Sequence, residues 1–234
     1  MSKSRKSGKL IVIDGIDGSG KAIQSALLVK RLKDRKVKVK VIDFPRYYDN
    51  FFGKLVGEYL SGKFGDFIKT DPKIASVLYA ADRFESAKEI EEWLKSGYIV
   101  VADRYTSSNQ IHQGGKISSI SERKIFLNWL LTMEHDVFKI PRPDLIIYLD
   151  VPLDISKKWL KNKISQRNKK YLKGRRDVAE DNLLHLNDSR DSALFLSKTN
   201  KNWEKVSCCK GATCLTPEQV HEEVFKIVKE KLKV

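Results

Sequence analysis

Short apolar, β-branched runs alternating with longer helical patterns predict an α/β fold, a five-stranded parallel sheet flanked by helices in three layers. Two further observations point the same way. Three of the runs end on Asp14, Asp43 and Asp103, and Asp150 closes a fourth, so carboxylates collect along one edge of the sheet. The first run also passes directly into a glycine-rich turn and then a helix. In open α/β sheets this carboxyl edge is where ligands bind.

Taken in order, strands are predicted over 10–14, 37–43, 98–103 and 144–150, with a fifth around 204–208. Helical patterns fill 21–35, 74–95, 121–138, 153–165 and 177–196. Asp71 followed by Pro72 is a start signal, an acidic cap with proline in the first turn. Thr216, Pro217 and Gln219 form a capping box ahead of a last helix, whose stripe is Val220, Val224, Phe225 and Val228. No internal repeat or low-complexity linker divides the chain, and its 234 residues read as one domain.

The charge balance, 45 Lys+Arg against 30 Asp+Glu for a net +15, excludes an acidic, solvating polypeptide. The excess is uneven. Residues 1–9 form a basic tail, and residues 151–180 hold ten basic side chains against three acidic ones. The stretch 165–176 has no apolar stripe to bury, so an exposed, flexible basic element is expected at 165–180. No run approaches the roughly 18 apolar residues that span a bilayer, and the four apolar residues before Asp14 are too few for a signal-peptide core. A cytoplasmic protein without a membrane or a specific nucleic-acid partner is the expectation. Cys208, Cys209 and Cys214 are odd in number and confined to one stretch; a metal site would need a fourth ligand, and reduced thiols are expected.

The turn after the first strand is Gly15-Ile16-Asp17-Gly18-Ser19-Gly20-Lys21, a G-x-x-x-x-G-K loop. Its glycines let successive backbone N–H groups converge on one concavity, and its lysine reaches terminal phosphates. The next residue, where a Ser or Thr hydroxyl ordinarily ligates Mg2+, is Ala22. A methyl cannot coordinate a cation. Either water and carboxylates such as Asp103 hold the ion, or turnover is impaired, or the loop is an altered copy.

This loop, read with Asp43-Phe44-Pro45-Arg46-Tyr47, with Leu78-Tyr79-Ala80-Ala81-Asp82-Arg83, and with the segment from Asp103-Arg104-Tyr105 to Gly114, resembles the thymidylate kinase family. Tyr148 to Pro152 marks the later strand, and the C-terminal third resembles the family less closely. The resemblance implies a P-loop kinase fold with a basic lid, an ATP:dTMP phosphotransferase activity, Mg2+ as cofactor and a homodimer. It implies that ATP lies against Gly15 to Ala22. The acceptor's sugar hydroxyl would bond Asp17, and its phosphate would be gripped by Arg46 and Arg104, rigid guanidinium forks that meet phosphate bidentately. Tyr79 and Arg83, one helical turn apart, would stack on and hydrogen-bond the pyrimidine. Asn109 would read the base edge, Tyr105 would crowd the sugar 2′ carbon, and Phe44, Ser108 and Gln113 would complete the acceptor site.

Some family members carry an arginine in the loop where this chain has Gly18. The resemblance then assigns the missing charge to the lid, with Arg167, Arg175 and Arg176 as catalytic candidates beside Lys21 and Arg104; Asp103, which ends a strand beside the loop, is the expected anchor of the metal through water. Asp177-Val178-Ala179-Glu180 matches the family's acidic pair after the lid, with Val178 at a position that is often Arg. His112 stands where a Tyr is common and receives no chemistry. Two alternatives stay open: a kinase of another pyrimidine nucleotide, and a catalytically weak nucleotide- or nucleic-acid-binding homologue, which Ala22 and the +15 balance favour.

Overall fold

A computed structural model describes residues 7–65, 69–164, 182–211 and 213–233, without side-chain detail for 161–164. Five parallel strands, β1 (Lys9–Asp14), β2 (Val39–Asp43), β3 (Ile99–Asp103), β4 (Leu145–Asp150) and β5 (Trp203–Ser207), form a sheet in the order β2-β3-β1-β4-β5. Strand β1 lies at its centre. Lys9 belongs to this strand and not to a tail, its ammonium 2.7 Å from Asp144.

Alternation along the strands sorts the core into two faces, as period-two geometry requires. Leu10, Val12, Val100, Ala102, Ile146 and Tyr148 pack into one cluster with Ala80, Ile90, Ile111, Phe126 and Ala193. These partners come from α3 (Pro72–Lys95), α4 (Thr106–Gly115), α5 (Ile120–Leu131) and α7 (Leu183–Thr199). Ile11, Ile13, Val101, Leu145 and Ile147 face the other way. They meet Leu28 and Leu32 of α1 (Lys21–Asp34) and Val220, Val224 and Phe225 of α8 (Pro217–Leu232). The result is the three-layer sandwich expected from the sequence.

Helix starts follow the local chemistry. Asp71 caps α3 by accepting from Lys73 N and Ile74 N, and Thr216 with Gln219 closes the capping box of α8. Several elements depart from the sequence reading. Helices α2 (Phe51–Leu60) and α4 fall outside the helical patterns predicted from the sequence. The single helix expected over 121–138 is α5 followed by a π-helical segment, Thr132–Val137. Helix α6 (Leu153–Ile164) matches its expectation, whereas α7 starts at Leu183, and 177–181 lie outside the described residues.

The expectation of reduced thiols is corrected at two of three positions. Cys209 and Cys214 are joined by a disulfide, cross-strand neighbours in a small antiparallel hairpin formed by β6 (Cys209–Lys210) and β7 (Thr213–Cys214). Adjacency in a hairpin is what brings their sulfurs together, and linear spacing did not display it. Cys208 stays free and buried, and burial pushes its thiol up to about 12.

Candidate functional site

Two segments leave the carboxyl edge side by side, because β1 and β3 are neighbours with Ile13 opposite Asp103. From β1 comes the loop Gly15–Lys21, and from β3 come Asp103, Arg104 and α4. Gly20 has φ 91 and Gly18 has φ 80, left-handed conformations that favour glycine. A Cβ at Gly18 would also collide with the Ser156 carbonyl of α6. The conformation and this contact together disfavour a side chain at this place in the loop.

Lys21 is folded onto its own loop, its ammonium donating to the Gly15 and Ile16 carbonyls at 2.9 Å each. Burial, and then the neighbouring Arg104 cation, lower its pKa to about 8. Arg104 lies across the loop with φ 65, its backbone N–H bonded to Ile13 O at 3.0 Å. Its Nη2 donates to Asp17, its Nη1 donates to His112 Nε2 at 3.1 Å, and Asp14 lies 3.8 Å from Nη1. Burial opposes this charge, but Asp17, Asp14 and Asp103 outweigh it and hold the guanidinium firmly protonated.

Asp14, fully buried, is the anchor of the constellation. It accepts from Ser107 Oγ at 2.6 Å, Ser108 Oγ at 2.8 Å and Gly15 N at 2.8 Å, tying the loop to the first turn of α4. Ser108, expected against the acceptor, is thus committed to Asp14. The ring that meets Arg104 Nη1 is His112, whereas Tyr105, expected beside the sugar 2′ carbon, is buried in the core. Tyr105 is 0% exposed, packs on Phe44 with centroids 5.7 Å apart, and donates its hydroxyl to Pro141 O at 3.1 Å.

The expected base-reading residues converge on a carboxylate that sequence reasoning missed. Arg83 Nε and Nη2 both donate to Glu134 at 2.7 Å, and Asn109 Nδ2 donates to the same carboxylate at 2.8 Å and to Ser76 O at 3.1 Å. Glu134 is 51 residues from Arg83 in the chain, so no local spacing could link them. Tyr79 stands one turn before Arg83, its ring 6.4 Å from that of Tyr59. Arg46 is held on α3, its Nη1 3.0 Å from Ser86 Oγ and 3.4 Å from Glu89, with Nε 3.3 Å from Asp49. Gln113 is buried on α4, with Oε1 unpaired among the described residues. The expected lid arginines, Arg167, Arg175 and Arg176, lie outside the described residues.

Beside the loop an open cavity of about 640 Å3 is lined by Ala22, Ser25, Asp43 and Asp103 among others. Asp43 and Asp103 are cross-strand partners, and burial is the main cause that raises both pKa values from the ordinary aspartate value. Oxygen donors that are costly to leave charged suit a hard divalent cation such as Mg2+. Ala22 adds no donor. Among the described residues no three acidic, histidine or cysteine side chains converge as a metal cage, so the site fits an ion that keeps most of its oxygens from water and nucleotide.

Comparison with known proteins bears on this geometry. Residues 13–207 match the family model described as thymidylate kinase. A probable thymidylate kinase of Pyrococcus abyssi is 30% identical over 229 residues, which cover 96% of this chain and 98% of that protein. The thymidylate kinase of Plasmodium falciparum is 32% identical over 152 residues, 65% of this chain and 66% of that one. In fold, the chain superposes on the Candida albicans thymidylate kinase structure with a TM-score of 0.69 at 24% identity, covering 96% of this chain and 92% of that one. The family match across the loop, β3 and the later strands establishes that this chain belongs to the thymidylate kinase family.

Proposed function

We propose that this protein transfers the γ-phosphate of ATP to dTMP, giving ADP and dTDP. The observation that carries the reading is the meeting of Lys21, Asp17 and Arg104 at one sheet edge, from two segments 87 residues apart. Phosphoryl transfer asks little covalent chemistry of a protein and depends on positioning and charge. In this scheme the N–H groups of Gly15–Ala22 cradle the ATP phosphates. Lys21 leaves its loop carbonyls for the β- and γ-phosphates. Arg46 and Arg104 take the acceptor phosphate, setting its oxygen in line with the γ-phosphorus. Asp17, released from Arg104, is placed to accept from the sugar hydroxyl, while Arg83 and Asn109, oriented by Glu134, face the base.

When bound, Mg2+ offsets charge on the phosphate oxygens. Asp103, with Asp43 beside it, would hold the ion through water. Arg167, Arg175 and Arg176, in the segment 165–180 outside the described residues, would supply the cationic charge that Gly18 does not. A homodimer belongs to the same proposal, supported by Ile74, Val77 and Phe84, which leave an apolar stripe exposed along α3. So does a cytoplasmic setting, which has to accommodate the Cys209–Cys214 bond because reducing compartments keep most thiols free.

A coupled ADP-release assay with ATP, Mg2+ and each of dTMP, dUMP, dCMP, UMP and AMP tests the reading. Selective stimulation by dTMP is expected. Ala22 favours a second reading, nucleotide binding with little turnover, and no stimulation by any monophosphate would establish it.

A further inference from the structure

We propose that His112 is a positioning residue for Arg104, a neutral imidazole locked in one tautomer that fixes the plane of the guanidinium gripping the acceptor phosphate. The proposal rests on the reading of Arg104 as the acceptor-phosphate cation. Its proton assignment follows from four contacts. Arginine nitrogens only donate, so His112 Nε2, 3.1 Å from Arg104 Nη1, is an acceptor and carries no proton. The ring proton therefore sits on Nδ1, 3.2 Å from Ser189 Oγ. Ser189 Oγ has a single hydrogen and donates it to His185 O at 2.6 Å, which leaves its lone pairs to receive His112 Nδ1–H. The relay runs one way, from Arg104 through His112 and Ser189 to the backbone of α7.

The mechanical consequence concerns rotation. Asp17 takes Arg104 at Nη2, while Asp14, 3.8 Å from Nη1, is too distant to fix that side by a hydrogen bond. His112 at Nη1 is the second point that defines the plane. A bidentate fork needs that plane set before phosphate arrives, and a half-buried ring on a packed helix sets it at little entropic cost. The charged groups around the ring oppose a second proton. Arg104, Lys21 of α1 and His185 of α7 disfavour it along with burial, Asp17 alone favours it, and the His112 pKa lies well below its ordinary value. On α3 and beyond α5, which also pack on α4, the buried charges Arg83 and Glu134 are paired with each other.

The direct test uses the wild-type protein labelled with 15N-histidine. A pyridine-type Nε2 and a pyrrole-type Nδ1 are expected for His112, unchanged between pH 8 and 6; the opposite tautomer, or a doubly protonated ring, overturns the assignment. Kinetics supply the second test. His112→Phe keeps a ring and removes the acceptor, so the KM for dTMP should rise about tenfold, the loss of one hydrogen bond to a charged group, with kcat within about threefold. In an Arg104→Ala background the same change should have no further effect. A full effect in that background shows that His112 acts independently, and overturns the proposal. Should His112→Phe fail to fold, Ser189→Ala leaves the ring in place and should raise the same KM through loss of the relay; no change would count against the proposal. If Arg104→Ala itself leaves the KM for dTMP unaltered, the reading of Arg104 fails and the positioning role with it, whereas the tautomer measurement is untouched.

Discussion

Arg83 and Glu134 meet edge to edge with both contacts at 2.7 Å and side chains only 2% and 1% exposed. Two charges buried so deeply hold each other, and removing one strands the other in a low-dielectric interior. Glu134→Ala should therefore cost about 3–5 kcal/mol, read as a lowered denaturation midpoint at unchanged slope. The double variant Arg83→Leu, Glu134→Leu should recover most of that stability, because an apolar pair of similar volume avoids the desolvation cost. Its KM for dTMP should nevertheless rise, since the base would face leucines. Stability that returned together with normal dTMP affinity would remove Arg83 from the acceptor site.

Lys21 carries the pH prediction. In the ligand-free protein its pKa is about 8 against an unfolded value of 10.5, lowered first by burial and then by Arg104. The folded state thus binds fewer protons than the unfolded chain between about pH 8 and 10.5, so this group's contribution to stability rises with pH through that window and is lost as pH falls through 8. ATP phosphates should restore the charge. Titration calorimetry at pH 8.5, in buffers of differing ionisation enthalpy, should show net proton uptake on ATP binding. Lys21→Met should abolish that uptake, as well as turnover.

What could be read from the sequence was whatever is written locally. The strands show as β-branched runs, and the loop from Gly15 to Lys21 shows because its glycines, lysine and flanking strand and helix are contiguous. Helix α4 was hidden by its composition. Thr106, Ser107, Asn109, Gln110 and Gln113 are buried polar residues, so the helix has no apolar stripe even though it lies in the interior. Helix α2 carries Gly53 and Gly57, poor helix formers, and owes its start to Asn50, whose side chain accepts from Gly53 N. The site divides in the same way. Asp17, Lys21 and Arg104 sit in linear motifs, whereas Glu134 and the Asp14–Ser107–Ser108 tie are pairings across the fold. His112 stands eight residues after Arg104 in the same linear segment, but only its contact with the guanidinium gives it work.

Ala22 offers a gain-of-function experiment. It lines the cavity that also holds Asp103, and its methyl is the one missing oxygen in an otherwise complete loop. Ala22→Ser should raise apparent Mg2+ affinity about tenfold, the scale on which individual groups tune metal sites, and should raise kcat with it. Titration of Mg2+ against the complex with a non-hydrolysable ATP analogue isolates the affinity from the rate. Equal affinity in both proteins would mean that Asp103 and water already complete the coordination, making the hydroxyl dispensable in this chain.

Phe84 tests the dimer. It is 54% exposed next to Arg83, which is 2% exposed, and its ring stands 5.5 Å from that of Phe138. With Ile74 at 67% and Val77 at 41% exposure, it completes a stripe too apolar to face water without cost. Sedimentation velocity should give the mass of two chains. Phe84→Glu would bury a charge at the centre of the contact on both subunits, and should shift the protein to one chain at micromolar concentration. Because the side chain lies outside the monomer's core, the circular dichroism spectrum should not change. A variant that stays dimeric would put the interface on another face of the molecule and leave the α3 stripe without this role.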